Sequence, residues 1–589
     1  MSKSRRFAKL VAYIRPHWRD TTLGIISLLV VNGLKIYTIK LIGNCVNALE
    51  SVDIALPVNF DYGQVIRYAI LIFLLSSSMW LIRMASRIWI FGVGRQVEFD
   101  LKQQIFEHLL KLEPSYFATN KAGDLISRAT SDVDNIRRLL GFVVLSFANT
   151  IFAYALTLPV MLAIDVQLTI AALSVYPIML FVVMLFSERL RNQQMLLQEN
   201  LSDASNLIQE DISGISLIKI YAQEENERRA FAKQNQKLLQ ANLKLARTRN
   251  TLFPLITGLS NISLFLIIWI GASRIGSDLD VGSFIELLLY VEGLVFPTAL
   301  LGFTITQYQR GEVSVDRVEA IFNVKPKIKD DSDAVQISRD TIKGELTAKN
   351  LTFTYPGADT PALNNVNFNI SPGETIAIVG AIGSGKSTLA NCLPRLLDID
   401  EGELFLDGVD ITKIALTDLR DVIAYVPQDS FLFSTSIQNN IRYGDPLAEQ
   451  QEVETAAQLS QISSEITNFP QQYGTLVGER GITLSGGQRQ RTALARAMLV
   501  DAPVLILDDS LSSVDNQTAT QILKNLSSGT KRKTIVFITH QLSAAAAADR
   551  IFVMEKGKIV QTGNQIELLQ QPGLYKTLWS QHQVEELLH

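Results

Sequence analysis

Gly380-Ala-Ile-Gly-Ser-Gly-Lys-Ser387 is the stretch on which the reading of this 589-residue chain turns. It fits the pattern G-x-x-x-x-G-K-[ST]. It follows an apolar run, Thr375–Val379, and opens a helical pattern, Thr388–Leu396. That context carries more than the pattern does. A strand, a tight glycine turn and a helix start let successive backbone N–H groups curl around phosphate oxygens, and the helix N-terminus adds partial positive charge. Gly380, Gly383, Ser384, Gly385 and Thr388 would form the cradle. Lys386 would reach the β- and γ-phosphates, and Ser387 would hold Mg²⁺ through its hydroxyl. Taken alone, the stretch could still be a chance glycine-rich turn.

Two further stretches narrow the reading. Val504-Leu-Ile-Leu-Asp-Asp509 is an apolar strand ending in two carboxylates. A buried strand that delivers acid at its C-terminal edge belongs beside a phosphate loop, with Asp508 as a second Mg²⁺ partner. Leu484-Ser-Gly-Gly-Gln488 stands 16 residues before that strand and opens a helix carrying Arg489, Arg491 and Arg496. Ser485 and the amides of Gly486 and Gly487, at a helix N-terminus, offer a second anion-binding surface. Around these stretches lie strand-like runs at Leu351–Tyr355, Glu374–Val379, Glu403–Asp407, Val422–Val426, Lys533–Thr539 and Arg550–Glu555. Strands alternating with helical patterns predict a largely parallel sheet.

The first 310 residues have a different character. Of the whole chain 47% is hydrophobic and only 19% charged, against about 25% charged in ordinary soluble domains. The excess is concentrated here: Leu139–Ile164 is 26 residues without a charge, and Val166–Ser187 is another 22. Spanning a bilayer takes about 20 apolar helical residues. These two runs, joined only by Asp165, predict a tight hairpin that crosses twice. Thr21–Ile42, Tyr68–Val93, Leu252–Ile275 and Val281–Thr306 complete six spans. Lys3, Arg5, Arg6, Lys9, Arg15 and Arg19 precede the first span, and 94–138 and 188–250 are also rich in Lys and Arg. The positive-inside rule therefore places these segments and both termini in the cytoplasm. The two long inner segments read as helical extensions that turn near Pro114–Gly123 and Gly214–Glu224. The remaining composition excludes several classes. A net charge of −4 gives no field for nucleic acid, and Cys45 and Cys392 make neither a disulfide framework nor a zinc site. Five scattered histidines do not suggest a metal enzyme.

With three motifs in this order, the chain resembles the ATP-binding cassette (ABC) family, and over almost its whole length a half-size ABC exporter of the MdlA-like multidrug and lipid type. The fold class expected is an all-α six-helix transmembrane domain (1–310), a connecting segment and linker (311–343) and an α/β nucleotide-binding domain (344–589). The resemblance implies ATP and Mg²⁺ as cofactors and a location in the plasma (inner) membrane of a bacterium. It implies that Tyr355 stacks on adenine and that Gln428 senses Mg²⁺ and the membrane domain. It also makes Asp515 part of the D-loop and His540 the switch contact to the γ-phosphate. Gly478–Gly481 resembles the X-loop that meets the hairpin tips. In this family two cassettes close head to tail, so that Ser485–Gln488 completes the partner chain's site.

One departure is informative. Family members with full activity usually carry glutamate where this chain has Asp509. The shorter side chain falls about 1.5 Å short, and a misplacement of about 1 Å can cost about a hundredfold. This reading favours a heterodimer with a second ABC half-exporter over a homodimer, with this chain's phosphate loop and Asp509 forming the slow site. The expected cargo is a hydrophobic or amphipathic compound, a drug or lipid. Export of a peptide and homodimeric lipid flipping are the alternatives. Glu286 and Glu292 lie within the sixth span. They are expected either to pair with Lys35, Lys40, Arg83 or Arg87 or to snorkel near the span ends or, at Glu292, to attract cationic cargo.

Overall fold

The computed structural model describes residues 3–50, 62–275, 279–331, 333–478, 481, 483–527 and 532–588. The chain divides into two compact units, Met1–Leu110 with Asn120–Val324, and Lys111–Thr119 with Lys325–His589.

In the first unit, among the described residues, six helices are long and apolar enough to cross a membrane: Ala8–Leu49, Gly63–Leu109, Ala122–Ile164, Val166–Ser213, Glu224–Gly271 and Val281–Phe322. Each exceeds the length a bilayer needs, so each continues as a helix beyond its apolar window. Between the third and fourth helices Asp165 takes an extended conformation, accepts from the Leu168 N–H at 2.8 Å and pairs with Arg274 at 3.0 Å. One side chain thus caps a helix start and ties the hairpin turn to the end of the fifth helix. Hydrogen bonds between helices supply attraction that lipid cannot. Ser146 meets Thr304 at 2.8 Å, Asn32 donates to Asn149 at 3.2 Å, and the Ser263 hydroxyl donates to the Ala172 carbonyl at 2.8 Å.

The sixth helix runs unbroken to Phe322, past the point at which the sequence reading ended the span. Val315, Val318 and Ile321 on it are fully buried with Val97, Leu101, Val133 and Ile136, so the amphipathic segment expected as a connection forms a continuous helix with the span and buries its apolar stripe. Glu319, also buried, receives Lys9 at 2.7 Å and Tyr13 at 2.6 Å. The intramembrane acids behave differently from the expected pairs. Among the described residues no ion pair within 4.0 Å joins Glu286 or Glu292 to Lys35, Lys40, Arg83 or Arg87. Instead the Lys35 ammonium donates to the Gly293 carbonyl at 3.1 Å, while Glu286 is buried and Glu292 exposed.

Among its described residues the second unit holds two sheets. β1 (Leu346–Phe353), β2 (Leu363–Ile370), β4 (Leu404–Leu406) and β5 (Val409–Asp410) form an antiparallel sheet in the order β2-β1-β4-β5. β3 (Thr375–Gly380), β6 (Ile423–Val426), β7 (Val504–Asp508), β8 (Thr534–Ile538), β9 (Arg550–Glu555) and β10 (Lys558–Gly563) form the other, in the order β10-β9-β3-β8-β7-β6. All of its pairings are parallel except β9 with β10. β3, β7 and β8 are buried along their whole length, as expected for central strands covered on both faces. Leu351–Tyr355 and Glu403–Asp407, read as members of one largely parallel sheet, belong to the antiparallel one. Their burial alternates, which suits a sheet with a single packed face.

Candidate functional site

The order β3-β8-β7-β6 brings the C-terminal ends of four parallel neighbours to one edge of the sheet, where α/β sheets bind ligands. The loop after β3 is Gly380–Gly385, β7 ends in Asp508, β8 leads to His540, and β6 leads to Gln428. Around them lies a cleft of about 440 Å³ lined by residues of that loop and its helix, by Tyr355 and by Gln428, Asp508, Asp509 and His540. These residues are drawn from separate stretches between Tyr355 and His540, and strand order makes them neighbours.

The glycines of the loop are required by geometry. Gly380, Gly383 and Gly385 have φ of 155°, 79° and 99°. A Cβ on Gly380 would lie 2.3 Å from the Met554 carbonyl oxygen, and one on Gly385 would lie 2.6 Å from that of Ala362. The curled backbone therefore leaves no room for a side chain at either position. Lys386 is buried, and its ammonium donates to the carbonyls of Gly380 and Ala381 at 2.8 and 2.9 Å. Burial lowers its pKa, while Asp509 and Asp508 pull it back up.

The acids at the end of β7 face this lysine. The Ser387 hydroxyl donates to Asp508 at 2.9 Å, so two hard oxygen donors sit side by side, a donor set suited to a small divalent cation. The Tyr425 hydroxyl donates to the other Asp508 oxygen at 3.2 Å and to Asn391 at 3.0 Å. Burial raises the pKa of Asp508 and of Asp509, an effect that His540 and Lys386 oppose at Asp509. Asp509 adopts φ of 47°, and its backbone N–H donates to the Ile538 carbonyl at 3.1 Å. One of its carboxylate oxygens receives Gln428 at 3.5 Å, and the other is buried without a partner. The Ser384 hydroxyl is likewise buried and unpartnered. A cradle with orphaned polar atoms, a lysine bonded only to its own loop and φ-strained turns is prepared for an oxygen-rich anion. Tyr355 is 40% exposed beside the loop, with its hydroxyl 3.3 Å from Thr388.

Ser485, Gly486, Gly487, Gln488 and Asp515 do not line this cleft. Ser485 is the exposed N-cap of the helix Gly486–Val500, in a reciprocal capping box with Gln488. Gln488 also donates to Glu465 at 2.8 Å. Gln490 joins this helix to Ser512 and Ser513 in the loop after β7. Asp515 accepts from the Thr518 N–H at 2.9 Å, and that N–H holds its carboxyl below the usual range. The Gly478–Gly481 assignment falls partly outside the described residues, at Glu479 and Arg480.

Sequence reasoning missed Tyr425 and Asn391. A hydroxyl on an otherwise aliphatic strand is a signal, but which acid it faces depends on β6 lying beside β7, which no local pattern states.

A family profile described as the ABC transporter transmembrane region matches residues 21–298, and one described as ABC transporter matches residues 363–512. The chain is 34% identical over 587 residues to the multidrug resistance-like ATP-binding protein MdlA of Escherichia coli (strain K12), covering 99% of this chain and 98% of that one. It is 34% identical over 495 residues to an ATP-dependent lipid A-core flippase of Syntrophus aciditrophicus, covering 84% and 81%. Its fold is similar to a solved bacterial Atm1-family ABC exporter with ATP bound, with a TM-score of 0.77 and 24% identity over 96% of this chain and 99% of that one.

Proposed function

The chain belongs to the ABC exporters, ATP-hydrolysing transporters of the multidrug and lipid type, and from that premise we propose that it is one half of a heterodimer whose own phosphate cleft is the slower of two ATP sites. The observation that carries this reading is Asp509. It stands where full activity in the family usually has glutamate, and it has one carboxylate oxygen buried and unpartnered. The strand and loop around it are intact, so the cleft can hold nucleotide while a carboxylate one methylene short positions water poorly.

In this reading Lys386 leaves the carbonyls of Gly380 and Ala381 and turns to the β- and γ-phosphates. The loop N–H groups cradle those phosphates, and Tyr355 stacks on the adenine. Ser387 and Asp508 hold Mg²⁺, with Gln428 reaching toward it. A divalent ion held by these residues would supply positive charge against the charge that develops on the phosphates. Asp509 orients the attacking water, and His540 contacts the γ-phosphate. The exposed Ser485, with Gly486, Gly487 and Gln488, faces away from the chain's own cleft and closes on the partner's nucleotide, with Asp515 at the seam. Closure on ATP and release after hydrolysis drive the membrane helices between inward- and outward-facing states. Both termini lie in the cytoplasm, and the cargo is a hydrophobic or amphipathic drug or lipid. A homodimeric lipid flippase is the second reading, favoured by the relatives named as lipid A-core flippases.

The test is Asp509→Glu in the purified complex. Turnover at this chain's own site should rise by up to about a hundredfold if side-chain reach limits it, so that total turnover, already carried by the faster partner site, rises toward about twofold. An unchanged rate overturns the slow-site reading. Native mass measurement of the same complex separates the two assemblies, since a dimer of identical chains supports the flippase reading.

A further inference from the structure

Within the first unit the fourth, fifth and sixth spanning helices enclose a cavity of about 590 Å³, in the size range of small-molecule sites. Its walls are apolar along most of their length. Val183 and Ile256 are buried in them, and Phe253, Phe296 and Phe303 are 69%, 69% and 50% exposed. At one end the character changes: Arg191, Arg249 and Arg310 all line the cavity, with Gln194 and Gln307 between them, and the lining contains no Asp or Glu.

The three arginines come from three helices and lie at the same end. Along the fourth helix Arg191 is eight residues beyond Val183, on the antiparallel fifth Arg249 is seven residues before Ile256, and on the sixth Arg310 is fourteen beyond Phe296. At about 1.5 Å per residue, the guanidiniums lie about 10 to 20 Å from the apolar end. They sit where the apolar windows give way to the polar helix extensions, the level of a bilayer's headgroups. Some arginines of this unit are paired, Arg6 with Glu312, Arg128 with Asp124, Arg137 with Asp134 and Arg317 with Asp132, while others, such as Arg83 and Arg87, have no described carboxylate within 4.0 Å. Among the described residues no carboxylate lies within 4.0 Å of Arg191, Arg249 or Arg310. All three are exposed, and although Glu188 shares the adjoining pocket with Arg191, the described lining of this cavity holds no acid, so its rim presents net positive charge to an anion.

We propose that this cavity holds an anionic phospholipid of the surrounding leaflet, its acyl chain along the phenylalanines and its phosphate on the three guanidiniums. Phosphate suits the site because guanidinium binds it through paired N–H donors, and basic pockets between spanning helices take anionic headgroups.

The test reads lipid retention without nucleotide, so it stands or fails apart from the Asp509 experiment. The full-length complex is equilibrated in equimolar mixed micelles of phosphatidylglycerol and phosphatidylcholine, and bound lipids are counted by native mass spectrometry. The wild-type protein should retain phosphatidylglycerol over phosphatidylcholine by about tenfold or more. The triple variant Arg191→Gln, Arg249→Gln, Arg310→Gln should lose that preference, and the corresponding triple lysine variant should keep most of it. Each single glutamine variant should weaken the preference in part, which keeps the test readable should the triple variant fold poorly. Equal retention of both lipids by the wild type, or an undiminished preference in the triple glutamine variant, overturns the proposal. ATP-driven movement of labelled phosphatidylglycerol across vesicles would overturn it too, by making the lipid cargo rather than a resident.

Discussion

The cleft at the end of β3 and the Ser485–Gln488 surface are both built on glycine turns at helix starts and are both proposed to meet anions, yet they are finished to different degrees. In the cleft polar groups are left waiting. Lys386 bonds to its own loop carbonyls, Ser384 and one Asp509 oxygen are buried without partners, and three loop residues hold positive φ. At the signature surface Ser485 and Gln488 close a reciprocal capping box, Gln488 also reaches Glu465, and Gln490 binds the loop after β7. A site that must exchange its partners during a cycle keeps unsatisfied atoms, whereas a surface that must dock as a rigid face satisfies its own first.

The strongest way to break this comparison is Lys386→Ala. If the lysine's bonds to Gly380 and Ala381 are only a resting state, its loss removes charge-assisted contacts worth about 1.5 to 3 kcal/mol each. Nucleotide affinity of this chain's cleft should fall by about a hundredfold or more, measured by equilibrium binding of labelled ATP. A loss under about threefold would mean that the lysine only holds the loop. Gly487→Ala tests the rigid face. A Cβ there would lie 2.7 Å from the Ser513 carbonyl oxygen, so the loop after β7 must shift. Turnover of the assembled complex should drop by about tenfold or more, while ATP binding in this chain's own cleft stays within about twofold, since a misplacement of about 1 Å is costly only where chemistry occurs. Equal losses in both readouts would erase the distinction between the two sites. Tyr425→Phe is the finest test. It removes the hydroxyl that steadies Asp508, and outer-shell partners of metal ligands are worth about tenfold in metal affinity. The Mg²⁺ concentration for half-maximal turnover should rise toward that figure, with nucleotide binding in the absence of Mg²⁺ unchanged.

Much of this was legible in the chain itself, and the parts that were not share a cause. Asp165 was readable as a hairpin because one residue between two uncharged runs leaves no other geometry. The run of residues from Gly380 to Ser387 was readable because its chemistry is local: the glycines, the lysine and the hydroxyl lie within eight positions. That the sixth helix carries on past Thr306 through most of the amphipathic connecting segment was less legible, because charge density rises there while the buried stripe Val315, Val318, Ile321 continues on one face. The antiparallel strands were assigned to the wrong sheet for a similar reason, since a strand's pattern tells which faces are covered but not which strand is its neighbour.

By itself, then, the order of residues determined the six apolar spans, the phosphate loop and the acid-tipped strand, all set by periodicity and chemistry over short windows. Only the tertiary structure decided that Tyr425 touches Asp508, that Lys35 bonds a carbonyl and not a glutamate, and that arginines from three helices meet in one cavity. Those contacts depend on strand order and helix packing, which arise from the summed burial of many residues and are written in no single stretch of the chain.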